Sequence, residues 1–239
     1  MKKQFLFSFT AIICLLTFSI ACKKNNNNST PPVNANVMLI NASPGDSAAL
    51  DFYFNDVKLN TQSITYPDSS GYLSVAPKNY TIKVAAANTI NPLASVNYGI
   101  GSGNSYSVFA YDTLLSGKIK VFAAQDDVSA PAAGKAKVRF FDLSPVTVAI
   151  DILVNDSIVF ANRSYADNVS DNSKGNFISM NAGIYTVKVK LAGSAANIPP
   201  LLTQDNINFS EGKIYTVFAK GTLTGTGVNT LGAAVIINK

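Results

Sequence analysis

Two short phrases place an aromatic ring beside an acid: Tyr66 with Asp68 in Thr65-Tyr66-Pro67-Asp68, and Tyr165 with Asp167 in Ser164-Tyr165-Ala166-Asp167. A ring and a carboxylate on a loop suit recognition of a sugar or a peptide, although a loop tyrosine can also simply cover the edge of a core. Asp51 and Asp151 sit inside apolar runs, where a carboxylate is costly unless hydrogen bonded or at an exposed edge. Their recurrence favours a scaffold role, such as bonding loop amides. The stretch Asp167 to Asn176 (DNVSDNSKGN) is rich in oxygen, but it lacks the alternate spacing of a calcium loop and Lys174 opposes a cation. Asp126-Asp127 reads as a solvated turn rather than a calcium bridge. No metal site and no cofactor is expected.

What is missing narrows the chemistry further. The chain has no histidine and two cysteines, Cys14 and Cys22. This removes Ser-His and Cys-His nucleophile pairs and the commonest general base and transition-metal ligand. A carboxylate pair of the glycosidase kind is the remaining hydrolytic arrangement. The acids fall mostly at turns of small, near-neutral repeats, which rarely build a deep two-carboxylate cleft. The expectation is a protein that is not an enzyme.

The elements that must carry these residues are written twice. Val37 to Pro44 (VMLINASP) returns as Val138 to Pro145 (VRFFDLSP), and Asp51 to Asp56 (DFYFND) as Asp151 to Asp156 (DILVND). Tyr72 to Val84 returns as Phe177 to Val189, and Gly101 to Leu114 as Ser210 to Leu223. Such repetition means two copies of one unit. Within each copy the period is two: Tyr80, Ile82 and Val84 alternate with Thr81 and Lys83, as Tyr185, Val187 and Val189 do with Thr186 and Lys188. Ser105 to Tyr111 and Ile214 to Lys220 are aromatic and β-branched and follow Gly-containing turns. Asn55-Asp56 and Asn155-Asp156 read as hairpin tips. Tyr80, Tyr106, Tyr185 and Tyr215 suit a ring in the core with the hydroxyl on nearby backbone. The predicted fold is all-β: two tandem antiparallel β-sandwiches, Ig-like or transthyretin-like, of roughly seven strands each. The first spans 36–128, a linker 129–135, and the second 136–239.

Residues 1–21 read as a signal peptide, with Lys2 and Lys3 preceding the apolar stretch Phe5 to Ile20. The ending Ser19-Ile20-Ala21-Cys22 resembles a bacterial lipobox, which makes Cys22 the lipidated residue; an ordinary cleaved signal or an uncleaved anchor are the alternatives. Acyl chains at about 0.8 kcal/mol per buried methylene give stable attachment once two are present. Lys23 and Lys24 match neither an inner-membrane retention signal nor an acidic surface-export signal, so the expected place is the outer membrane, on either face. Residues 22–35 are Asn-rich and Pro-broken and read as a disordered tether. Lys2, Lys3, Lys23 and Lys24 precede the repeats, leaving fifteen basic against fourteen acidic residues. The repeats are therefore near neutral and give no support for nucleic-acid binding.

The strand ending Ala42-Ser43-Pro44, the apolar strand at Asp51, the turn at Asn55-Asp56, the phrase Tyr80 to Val84 and the closing Tyr106-Ser107-Val108-Phe109-Ala110 strand resemble the bacterial domain of unknown function family 4397. Leu143-Ser144-Pro145, Asp151, Gly183-Ile184-Tyr185 and Gly212 to Val217 carry the same marks in the second copy. The resemblance implies tandem sandwiches in a secreted or lipid-anchored protein and brings no catalytic residues. Together these readings predict a membrane-anchored lipoprotein of the cell envelope that binds a protein or glycan partner. The alternatives are a structural spacer or assembly subunit and, third, a hydrolase. Asp46-Ser47-Ala48, Asp112-Thr113-Leu114 and Asp156-Ser157-Ile158 also resemble an O-glycosylation triplet. A specific function is to be sought where the copies differ, above all in the 165–176 loop and its shorter counterpart, and in 88–98 against 192–203.

Overall fold

Alternating apolar residues make half-buried strands, and the described residues hold sixteen of them in four sheets. The computed structural model describes residues 31–45, 49–112, 119–145 and 148–239. Cys22, the signal segment, Asp46-Ser47-Ala48 and Thr113-Leu114 lie outside the described residues.

The first copy holds β1 (Ala35–Asn41), β2 (Leu50–Phe54), β3 (Val57–Lys58), β4 (Ser69–Val75), β5 (Asn79–Ala86), β6 (Pro92–Gly99), β7 (Ser105–Tyr111) and β8 (Lys120–Asp126). The second holds β9 (Lys135–Asp142), β10 (Ile150–Val154), β11 (Ser157–Arg163), β12 (Ile178–Asn181), β13 (Gly183–Leu191), β14 (Leu202–Phe209), β15 (Ile214–Lys220) and β16 (Gly232–Ile237). Sheet orders β4-β1-β7-β8 and β3-β2-β5-β6 in the first copy recur as β12-β9-β15-β16 and β11-β10-β13-β14 in the second. The register recurs too: Val37 faces Tyr106 and Leu73, as Val138 faces Tyr215 and Ile178. The molecule is thus all-β with two sheet pairs, one sandwich per copy.

Local chemistry places the strands as expected. Asn55, Asp56, Asn155 and Asp156 all take positive φ, between 47° and 67°, the left-handed geometry of tight hairpins. In each tip the Asn Oδ1 accepts from a neighbouring strand, from Thr81 N at 2.8 Å and Thr186 N at 3.0 Å. The four repeated tyrosines bond backbone: Tyr80 and Tyr185 donate to the carbonyls of Ala76 and Asn181, while Tyr106 and Tyr215 accept from Gly101 and Ser210 amides.

Two features differ from the sequence reading. First, β1 pairs parallel with β7, and β9 with β15, inside otherwise antiparallel sheets. The long excursion through β2–β6 supplies the crossover that a parallel pair needs. Second, every residue of β7 is buried. Both faces of its sheet are covered, which gives a near-continuous apolar run instead of one wet face. Val37, Leu39, Val108 and Ala110 fill the core of the first sandwich, and Val138, Phe140, Val217 and Ala219 that of the second. The alternate residues point the other way. Met38, Ile40, Phe109, Tyr111 and Phe122 meet Phe141, Leu143, Phe218 and Ile236 in a third core that the two sandwiches share. Residues 32–239 accordingly form one compact unit, with 127–134 bridging β8 to β9.

Aromatic rings dominate the shared core. Phe109 lies edge-on to Phe141 at 5.2 Å and to Phe218 at 6.2 Å, and Phe122 edge-on to Phe141 at 5.5 Å. Such pairs contribute about 0.5–1.5 kcal/mol each beyond the area they bury. Beside them Arg139 and Asp126 form an ion pair at 2.6 Å with both side chains 0% exposed. Asp126, expected on a solvated turn, is therefore at the heart of the interface. Removing one partner of such a pair strands the other, at a cost of about 3–5 kcal/mol. Met38 occupies the place of Arg139 in the first copy, and Asn238 the place of Asp126 in the second. We expect Arg139→Met alone to lose about 3–5 kcal/mol in urea unfolding and Arg139→Met with Asp126→Asn to recover most of it. A double variant no more stable than the single would show that the pair is not the source of the loss.

Candidate functional site

The strands bring few chemical groups together in the open; most are drawn into structural bonds. Asp51, in the middle of β2, accepts from Ser63 Oγ at 2.7 Å, Asn60 Nδ2 at 3.1 Å and the Asn88 amide at 2.9 Å, and pairs with Lys58 at 2.8 Å. Burial works to raise its pKa, but the bonds from Lys58, Ser63, Asn88 and Asn60 together hold it below the usual range. Asp151 repeats the role, accepting from the Asn162 amide at 2.7 Å and the Gly193 amide at 2.9 Å. Asn88 and Gly193 both have positive φ, at 61° and 68°, so each carboxylate secures the same tight turn after β5 or β13. The repeated aspartates hold loops, as their recurrence suggested.

The two ring-and-acid phrases are not displayed as paired groups on exposed loops. Tyr66 is buried rather than displayed on a loop, with Lys220 of the second sandwich 5.7 Å from its ring centre. Burial pushes its hydroxyl above the ordinary range. Tyr165 is half-buried against Tyr111 of the first sandwich at 6.0 Å, and Lys120 lies 5.5 Å from its ring centre. Burial, and then the Asp112 carboxylate, raise its hydroxyl. Each tyrosine thus crosses to the opposite sandwich, a partner no local pattern could reveal. Asp167 forms a two-pronged pair with Arg163, Nε to Oδ2 at 2.6 Å and Nη2 to Oδ1 at 2.7 Å. Asp68 alone stays exposed, its Oδ1 accepting from Ser69 N at 2.7 Å. It lines an open polar cleft of about 400 Å³ with Asn60, Gln62, Ser63 and Thr65.

The oxygen-rich stretch 167–176 folds as a short helix α1 (Asp167–Ser170) and a 3-10 turn (Asn172–Gly175). Its acids are taken up locally: Asp167 by Arg163, and Asp171 Oδ1 by Ser173 N at 3.0 Å and Ser173 Oγ at 2.6 Å. Among the described residues no group of three His, Cys, Asp or Glu could hold a metal ion. Asp127 pairs with Lys137 at 2.7 Å, which lowers its carboxyl to about 2, the Lys137 bond first and those from Ser129 next.

Arg139 was not marked by any motif, yet it organises the interface. Its Nε donates to Thr216 Oγ1 at 2.8 Å and its Nη2 to Ser107 Oγ at 3.0 Å. Phe177 and Phe141 stack near it, their ring centres 4.4 and 4.9 Å from the guanidinium carbon. Asp126 Oδ2 accepts in turn from Tyr72 at 2.5 Å and Ser107 at 2.7 Å. The one available signal was a lone arginine in an apolar strand where the other copy has Met38.

Asp142 is a further buried acid, 2% exposed. Burial, opposed by the Ser144 amide, pushes its carboxyl up to about 7. Its counterpart in the first copy is Asn41, whose Oδ1 accepts from Ser43 N and whose Nδ2 donates to the Ile64 carbonyl at 2.9 Å. Because folded Asp142 keeps its proton above the unfolded value of 3.8, unfolding releases a proton between about pH 4 and 7. Stability from this residue is full below the unfolded pKa and is lost as pH rises, by up to about 1.4 kcal/mol per pH unit. We expect Asp142→Asn, which copies the Asn41 arrangement, to flatten that slope and to raise stability at pH 7, read by urea unfolding across this window. An unchanged slope would locate the proton elsewhere.

Known proteins add one match to this geometry. No curated protein matches the chain. Residues 35–153 match the family model described as Domain of unknown function (DUF4397), from the start of β1 through the first sandwich and into β10. The first sandwich carries the match, which supports a DUF4397-like domain over these residues, and the second sandwich repeats its sheet order and register.

Proposed function

We propose that the chain is a lipid-anchored, non-enzymatic binding protein of the cell envelope, held to the outer membrane through Cys22. The single observation that carries the binding role is the open polar cleft beside Asp68, about 400 Å³ and lined by amides, hydroxyls and one exposed carboxylate. That volume lies in the range of about 300–1,000 Å³ usual for ligand sites. Of the buried carboxylates, Asp51, Asp126 and Asp151 are each tied to a lysine, an arginine or loop amides, and Asp142, whose proton is held by burial, accepts from the Ser144 amide inside the turn after β9. The anchor is supported by the apolar stretch Phe5 to Ile20 running into Ala21-Cys22. The partner is a protein or a glycan of the envelope.

The shared aromatic core favours a second reading, a rigid spacer or assembly subunit, because it fixes both sandwiches as one body. Deleting one copy would expose that core, so the tether is the better lever. A spacer responds to lengthening of residues 22–35, whereas a binding protein tolerates it.

Two measurements test the proposal. Labelled palmitate should enter the exported chain and Cys22→Ser should abolish the label; labelling that survives the substitution rejects the anchor. Full-length chain should be retained by outer-membrane or cell-wall fractions, and Asp68→Ala with Gln62→Ala should cut retention about tenfold, the effect of roughly one or two hydrogen bonds. Absence of any retention would leave the spacer reading.

A further inference from the structure

The second copy differs most from the first after Tyr165. In the first copy Tyr66 is followed within three residues by β4, whereas the second copy inserts α1 and the 3-10 turn before β12. This insertion faces the first sandwich across a cleft of about 240 Å³. Asn168, Asn172 and Asn176 line it from the insertion, and Gln125 of β8 and Tyr98 of β6 from the first sandwich. The geometry points to a binding site for a neutral saccharide ring at this junction, which goes beyond the Asp68 cleft but rests on the reading of the chain as a binding protein.

Four observations carry the assignment. The first is an orphan: Asn168 is 5% exposed and its buried Oδ1 has no hydrogen-bond partner. A buried acceptor left unmade is unfavourable, so a donor that reached this atom from the cleft would be rewarded. The second is charge. None of the residues lining the cleft carries a charged side chain, which disfavours ionic ligands that need a counter-charge when desolvated. The third is the amide set. Asn and Gln each donate and accept, as sugar hydroxyls do, so three asparagines and a glutamine suit vicinal hydroxyls better than a purely donating or accepting ligand. Tyr98, held edge-on to Tyr106 at 5.7 Å, adds a fixed aromatic wall. The fourth is size: the volume falls below the range of about 300–1,000 Å³ for drug-sized ligands, which fits a single ring or the end of a chain.

The wall is built in advance. Arg163 grips the insertion at both ends, through its two bonds to Asp167 and a third from Nη2 to the Lys174 carbonyl at 3.1 Å, and anchors it to β9 through the Phe140 carbonyl at 2.8 Å. Gly175 sits so close to the Phe141 ring that a Cβ there would lie 3.2 Å from it. Arg163 is thus a positioning residue for the asparagines.

Full-length chain in detergent, titrated with glucose, galactose, mannose and N-acetylglucosamine by calorimetry and saturation-transfer NMR, tests the site. At least one neutral sugar is expected to saturate, and glucuronate to bind more weakly than its neutral parent. Asn172→Ala with Asn176→Ala changes two exposed side chains; it should leave the melting temperature unchanged and weaken binding at least about tenfold. Asn168→Ala should weaken it as well. Failure of all four sugars to saturate by about 100 mM, or binding unaffected by the Asn172 and Asn176 changes, overturns the assignment. Envelope retention with no sugar binding would remove this site and leave the Asp68 cleft standing, so the two proposals fail separately.

Discussion

Burying a guanidinium and a carboxylate between two sheets is unfavourable unless every donor and acceptor finds a partner. The chain meets that condition with residues from both sandwiches: Ser107, Tyr72 and Asp126 from the first, Thr216, Asn238 and Phe177 from the second. The network forms only when the sheets β4-β1-β7-β8 and β12-β9-β15-β16 are stacked in one register. Aromatic packing around Phe109 and Phe141 supplies the attraction, and the ion pair makes a slipped arrangement costly. Everything placed across the junction, including Tyr66 on Lys220 and Tyr165 on Tyr111, depends on that register.

Duplication supplied the geometry and divergence supplied the asymmetry. At one pair of equivalent positions stand Met38 and Arg139, at another Asp126 and Asn238, at a third Asn41 and Asp142, at a fourth Tyr111 and Lys220. In each pair the side-chain chemistry is changed, while bonds around it are retained. Ser43 and Ser144, for instance, both donate to the carbonyl of the residue after their β7 or β15, Asp112 and Gly221. A symmetric pair of arginines at the interface would repel. One arginine facing one aspartate converts a repeated surface into a specific contact between unlike halves.

The same asymmetry shapes the junction between the copies. The insertion after Tyr165 has no counterpart in the first copy, and Arg163, Asp167 and the Phe141 ring fix it to the second sandwich so that it faces the first across the junction cleft. Loops positioned by a rigid scaffold are where binding residues concentrate. Here the scaffold is both sandwiches together, so the junction cleft belongs to neither copy alone.

The repeat, the strand periods, the hairpin tips at Asn55 and Asn155, the backbone-bonded tyrosines and the loop-holding role of Asp51 and Asp151 were all legible in the amino-acid sequence. Each depends on residues near in sequence or recurring at fixed spacing, and alternation and left-handed turn residues act locally. The parallel pairing of β1 with β7, the burial of both faces of β7, the sinking of Tyr66 and the ion pair of Arg139 with Asp126 were not legible. They depend on which face of a sheet meets another sheet. A strand that is apolar on both sides reads much like a strongly apolar half-buried one until the covering layer is known. Sequence by itself determined two sandwiches of one design, and only the tertiary structure decided that they share a third core, because that core is made of side chains whose partners lie in the other copy.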